Sequence, residues 1–162
     1  MIQVESFLPN PARINPTPIK FPALITSTSA EETFILGERL APLLKRGSVV
    51  AMRGPLGAGK TCLAKGIARG LGIDEEVRSP TYTIISEYEA DSVPFYHIDA
   101  YRLEGNDDFS AIGGEDIVFG DGISVIEWSE RIPAFIPLTA FFVDIEIKEN
   151  DKRLIRINRG AA

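Results

Sequence analysis

The residues best equipped for chemistry form one run, Gly54-Pro55-Leu56-Gly57-Ala58-Gly59-Lys60-Thr61, which matches G-x-x-x-x-G-K-S/T at every fixed position. In that pattern a glycine-rich turn opens a helix, so successive backbone N–H groups and the positive helix end surround an anion. Gly57 and Gly59 allow the main chain to approach a phosphate closely. The phosphate-binding residues are then Leu56, Gly57, Ala58, Gly59, Lys60 and Thr61. The Lys60 ammonium is expected on the β- and γ-phosphates of a nucleotide, and the Thr61 hydroxyl on Mg2+.

Cleaving a nucleotide also requires oxygen ligands for the metal and a group that orients water. Asp99 ends the run Phe95-Tyr96-His97-Ile98, and Glu127 ends Ile123-Ser124-Val125-Ile126. Both are expected at the carboxyl edge of a sheet, where ligands bind. One would serve the metal and the other the water, with either order open; a merely solvated strand end is the competing reading for each. Thr81, in Ser79-Pro80-Thr81-Tyr82, could sense the γ-phosphate from a switch segment, or the stretch is an ordinary proline turn. Lys60, Thr81, Asp99 and Glu127 are thus the candidate catalytic residues, and Thr61, Asp99 and Glu127 the candidate metal contacts.

Lesser candidates surround these. Cys62 falls in the first turn after the loop, where the helix dipole could lower its pKa, although packing is favoured. His97 either couples to Asp99 or satisfies local hydrogen bonds. Trp128 lies against a nucleotide or partner, or fills the core edge. Arg102 either neutralises phosphate or pairs with an acid.

These side chains need a frame. Ser29-Ala30-Glu31-Glu32 reads as a capping box opening a helix from about Ala30 to Lys45, with Gly47 as its C-terminal cap. Val49-Val50-Ala51-Met52 reads as a strand covered on both faces, and Leu63, Ile67 and Leu71 mark the helix after the loop. Tyr82 to Tyr88 and Val93 to Ile98 are strand candidates, pairing through a turn at Ala90 to Ser92. Gly105 to Gly122 signals loops or a short helix, and Ile123 to Ile126 a second buried strand. Phe141 to Ile147 and Leu154 to Ile157 form a hairpin around Lys148-Glu149-Asn150-Asp151-Lys152. The expected fold is a mixed α/β sheet.

With 162 residues, 44% of them hydrophobic, the chain suits one domain with a proper core. Seventeen Lys and Arg against 23 Asp and Glu give a net charge of −6, which argues against autonomous binding along a phosphate backbone. Nucleic acid, if involved, is expected to be held by a partner. One cysteine and one histidine exclude a disulfide framework and a Cys/His zinc cluster. No apolar run approaches the about 20 residues of a membrane span, and the start lacks a signal-like segment. A cytoplasmic protein without membrane attachment is expected. Five of the eleven prolines fall in the first 22 residues, so residues 1–23 read as an irregular arm, partly docked through some of Phe7, Leu8, Ile14, Ile19 and Phe21, with residues 24–162 as the domain proper.

Taken in order, the phosphate loop, Ser79-Pro80-Thr81-Tyr82, His97-Ile98-Asp99-Ala100-Tyr101-Arg102-Leu103 and Glu127-Trp128 resemble the TsaE family, over roughly Ser29 to Arg156. That resemblance implies a P-loop NTPase-like three-layer α/β sandwich with a mixed, partly antiparallel sheet. It implies an ATPase of tRNA threonylcarbamoyladenosine synthesis that works with TsaD and TsaB, ATP and Mg2+ being its cofactors. By the same likeness, Leu56 to Thr61 bind the triphosphate, Thr61 and Glu127 contact magnesium, Asp99 is essential for hydrolysis and Thr81 belongs to the switch. The region around Ala30 and the turn of the last hairpin would border the base. Pro55 stands where the family commonly has an acidic residue, and Cys62 where threonine is usual. tRNA would be reached only through partners, and the isolated chain is expected to be a slow hydrolase and a monomer.

Other classes fit less well. A GTPase would carry N/T-K-x-D and D-x-x-G strings, and neither occurs. A small-molecule kinase would show an arginine-rich lid, whereas Arg102 is isolated. A module that uses nucleotide only as a structural ligand is the non-enzyme alternative.

Overall fold

In the computed structural model, which describes residues 3–6, 18–91 and 93–161, eight strands form a single sheet. They are β1 (Gln3–Ser6), β2 (Ala23–Ser27), β3 (Val49–Arg53), β4 (Ile85–Glu89), β5 (Pro94–Asp99), β6 (Ile123–Glu127), β7 (Phe141–Ile147) and β8 (Arg153–Arg159). The helices are α1 (Ala30–Leu40), α2 (Lys60–Gly70), α3 (Asn106–Ala111) and α4 (Gly114–Val118), with short 3₁₀ turns between several elements. The strand order is β1-β2-β8-β7-β3-β6-β5-β4. Strands β7, β3, β6 and β5 run parallel at the centre, while β8 and β4 flank them antiparallel.

Helices on both faces give three layers. Leu36, Leu40, Leu63 and Ile67 of α1 and α2 pack with Val50, Met52, Val125 and Val143 on one face. Phe109, Val118, Ile132 and Phe135 pack with Val49, Ile98 and Ile126 on the other. Neighbouring residues of β3 thus serve opposite cores, which is why its sequence is a continuous apolar run rather than an alternating one. Each fully buried Ile or Phe contributes roughly 1.5–3 kcal/mol. α1 and α2 touch backbone to backbone: a Cβ on Gly66 would stand 2.0 Å from the Phe34 carbonyl oxygen, and one on Gly37 2.4 Å from that of Leu63. This contact ties α1 to the helix that opens at the phosphate loop.

Ser29 caps the helix as expected, with the Glu32 amide donating to Ser29 Oγ at 3.1 Å, but the return bond of a capping box goes to Thr28 rather than to the Ser29 amide. The Glu32 carboxylate accepts from the Thr28 amide and hydroxyl. Three expectations are corrected. The first helix ends at Leu40 rather than Lys45, because Pro42 lacks an amide proton and its ring would clash with the preceding turn; a 3₁₀ turn, Ala41–Leu43, follows. Gly47, at φ +80°, therefore caps no helix and instead donates to Asp121 and Gly122 carbonyls. β4 starts at Ile85, not Tyr82, since Ile84 sits at φ +67° and breaks the strand.

Parts of the leading stretch join the body of the fold. Gln3–Ser6 pairs in parallel with β2, Ile19 is buried, and Phe21 packs edge-on against Phe141 at 5.6 Å. Phe7, Leu8, Ile14 and Ser92 lie outside the described residues. Among the described residues, no helix is long and apolar enough to cross a membrane.

Candidate nucleotide-binding site

The loop leaves β3 at Gly54 and enters α2 at Lys60. Gly59 caps that helix at φ +105°, a conformation strained for any residue with a side chain, and Gly57 is at φ +75°. Lys60 is only 4% exposed. Its ammonium donates to the Gly54 and Pro55 carbonyls at 2.6 and 2.9 Å and lies 4.0 Å from the centre of the Trp128 ring. Burial lowers its pKa from the ordinary lysine value, opposed by the charges of Glu127, Glu130 and Asp99. A poorly hydrated cation fixed inside the loop attracts an incoming phosphate more strongly than a solvated one.

Asp99 and Glu127 are register partners at the carboxyl ends of β5 and β6, beside Met52 at the end of β3. Both are buried. The Thr61 hydroxyl donates to Glu127, 2.8 Å from Oε1 and 3.1 Å from Oε2. Asp99 Oδ2 accepts from Thr81 at 3.2 Å and from Ser79 at 3.5 Å, and Oδ1 from the Tyr101 amide at 3.0 Å. The strand-end carboxylates thus each reach a different segment, one the loop and one the Ser79–Thr81 stretch.

The remaining walls complete a cleft of about 300 Å³ lined by Leu56 to Thr61, Ser79, Thr81, Asp99, Tyr101, Glu127 and Trp128. Leu56 to Thr61, Thr81, Asp99 and Glu127 all line it, whereas Ala30 and the β7–β8 turn do not. Trp128, at φ +57°, faces Tyr101 at 4.9 Å as well as Lys60, so it lines the cleft while also packing against the edge of the second core. Arg102 reaches neither phosphate loop nor acid in its described contact, but stacks 4.4 Å over the exposed Tyr82 ring. His97 does not couple to Asp99: its Nε2 lies 2.7 Å from Glu127 Oε1. The Cys62 thiol donates to the Ala30 carbonyl, and burial pushes its pKa up, opposite to the effect of the helix dipole.

Arg153 is a residue that local motifs do not reveal. From the start of β8 its guanidinium donates to the Ala58 and Gly57 carbonyls at 3.1 Å each and to the Asp151 carbonyl at 2.7 Å. These bonds hold the two loop carbonyls and tie the hairpin turn to the loop.

The donor set suits a small hard cation. Thr61 gives its proton to Glu127, which leaves hydroxyl lone pairs free, and the carboxylates add more oxygen. Among the described residues no cluster of three or more His, Cys, Asp or Glu could hold a metal alone.

A family model described as threonylcarbamoyl adenosine biosynthesis protein TsaE matches residues 27–156. The chain belongs to the TsaE family. It is 41% identical over 131 residues to the tRNA threonylcarbamoyladenosine biosynthesis protein TsaE of Treponema pallidum, covering 81% of this chain and 96% of that one. The protein of the same name from Aquifex aeolicus is 42% identical over 134 residues, with 81% and 92% covered. The crystal structure of Bacillus subtilis YdiB has a similar fold, with a TM-score of 0.72 at 33% identity over 85% of each chain. The TsaE match runs from the last residue of β2 into β8, so it takes in the loop, both carboxylates and Arg153.

Proposed function

We propose that this chain is a Mg2+-dependent ATPase whose nucleotide cycle supports TsaD and TsaB in threonylcarbamoylation of the adenosine next to the tRNA anticodon. The observation that carries this reading is the convergence, in one cleft, of the phosphate loop, the Thr61–Glu127 hydrogen bond and Asp99. Leu56 to Thr61 hold the triphosphate through backbone N–H groups. Lys60 exchanges its carbonyl partners for β- and γ-phosphate oxygens, and Thr61, Glu127 and Asp99 provide the metal contacts. Mg2+, when bound, neutralises charge on the phosphates as the γ-phosphoryl group leaves. Asp99 orients the attacking water, and Thr81, which shares Asp99 Oδ2, reports the state of the γ-phosphate to the Ser79–Ile84 segment.

Residues 24–162 form the ATPase domain, and the arm at 1–23 adds Gln3–Ser6 to its sheet as an edge strand. The start of α1 and the β7–β8 turn border the base. The net charge of −6 fits a chain that meets tRNA only through its partners, as a cytoplasmic monomer between encounters.

The test is multiple-turnover threonylcarbamoylation of tRNA by a TsaD and TsaB pair with added wild-type or Lys60→Ala chain. Replacing a charged hydrogen-bond donor weakens phosphate binding by about 10–100-fold. Lost support from a folded Lys60→Ala chain is expected. Undiminished support from that variant contradicts nucleotide-driven action.

A further inference from the structure

His97 is the chain's single histidine, and the reading above leaves it without a task. It is fully buried in β5, with Phe95 two residues before it on the same sheet face and Val125 beside it across the ladder. That is a position suited to an apolar side chain. Its Nε2 lies 2.7 Å from Glu127 Oε1, and since a carboxylate only accepts, Nε2 carries the donated proton. The other ring nitrogen, Nδ1, is buried and has no partner among the described residues. An unpartnered buried nitrogen destabilises the fold, and a methionine of similar volume would avoid it. What histidine supplies here, and an apolar residue does not, is the Nε2–H to Glu127.

Glu127 has use for that bond. Thr61 reaches both carboxylate oxygens with one rotatable hydroxyl, which leaves the rotation of the carboxylate plane weakly defined. A second donor on Oε1, projecting from the rigid β5 backbone, fixes the plane. Oε1 then holds two short bonds, while Oε2 carries, among the described residues, only the 3.1 Å contact from Thr61 and keeps its lone pairs for the cleft.

We propose that His97 is a positioning residue that fixes the Glu127 carboxylate so that Oε2 meets Mg2+ or a water of its shell. This rests on the reading that Glu127 serves the metal. Hydrogen bonds behind a metal-binding carboxylate commonly matter by about 10–100-fold in metal affinity.

The test compares His97→Met, His97→Asn, His97→Gln and Glu127→Gln in the full chain. A glutamine amide nitrogen approximates the place of Nε2, whereas an asparagine nitrogen falls near Nδ1. The readouts are Mn2+ binding by electron paramagnetic resonance with a non-hydrolysable ATP analogue, melting temperature, and ATP binding in EDTA followed by Trp128, the only tryptophan. His97→Met and His97→Asn are expected to weaken Mn2+ about 10–100-fold, with His97→Gln within about threefold of wild type. ATP binding in EDTA should be unchanged in the three His97 variants, and His97→Met should melt no lower than wild type. Because there is one histidine, ring nitrogen resonances give its tautomer directly, and Nε2–H is expected. Wild-type Mn2+ affinity in His97→Met, with affinity lost in Glu127→Gln, overturns the role of His97 alone. Wild-type affinity in Glu127→Gln overturns the metal reading beneath it. A metal affinity that falls only in step with melting temperature, His97→Gln included, makes the residue structural and overturns the proposal as well.

Discussion

Asp99 and Glu127 stand side by side across the β5–β6 ladder, yet their hydroxyl partners come from separate parts of the chain: Thr81 donates to Asp99 at 3.2 Å and Thr61 to Glu127 at 2.8 Å. Two buried carboxylates in register would repel if nothing positive joined them. Lys60, whose charge is coupled to both, begins to offset this, and a divalent cation would do more.

That pairing predicts a division between binding and turnover. The loop backbone supplies much of the phosphate affinity, so Asp99→Ala and Glu127→Ala should bind ATP within about tenfold of wild type while hydrolysis falls about 10²-fold or more. Equilibrium binding and single-turnover hydrolysis measure both quantities. Comparable losses of binding and turnover in the two variants would contradict the division.

Arg153 predicts the reverse pattern. Arg153→Met removes the donors that hold the Gly57 and Ala58 carbonyls. Nucleotide affinity should drop about tenfold, while kcat at saturating ATP stays within about threefold. An unchanged KM would show that the loop holds its shape unaided.

Much of this site is legible from local sequence, because the loop, its strand and its helix are contiguous, and each carboxylate ends an apolar run. What escapes a sequence reading depends on register or distance. His97 meets Glu127, 30 positions on, only because parallel β5 and β6 align Asp99 with Glu127 and put His97 on the same face. Arg153 reaches Ala58 across 95 positions. Ile84 delays the start of the expected Tyr82–Tyr88 strand by adopting a left-handed conformation against its own β propensity. The stripe through Leu43 and Leu44 continues in sequence beyond the point where Pro42 stops the helix.

The α1–α2 contact predicts a stability effect. A Cβ at position 66 would meet the Phe34 carbonyl oxygen at 2.0 Å, backbone that cannot swing aside. Gly66→Ala should therefore destabilise by about 1–3 kcal/mol, despite the higher helix propensity of alanine, and lower the melting temperature by several degrees. A variant that melts with or above wild type would mean the two helices can separate without loss.

Cys62 predicts a pH dependence. Burial holds its thiol above the ordinary value and Lys65 only partly offsets that, so the protonated form persists to higher pH than in a free cysteine. Alkylation by iodoacetamide should be slower than that of glutathione at about pH 7.5 and climb steadily between about pH 8 and 10. Faster reaction than glutathione at neutral pH would instead reveal a helix-dipole-activated thiolate.

Phosphate release from Mg-ATP by the purified chain, alone and with a TsaD and TsaB pair, with GTP as the control nucleotide, tests the central claim most directly. Slow magnesium-dependent ATP turnover that accelerates when the pair is added, with little release from GTP, is the predicted result. Tight ATP binding with no release under any of these conditions would contradict it and leave the nucleotide a structural ligand.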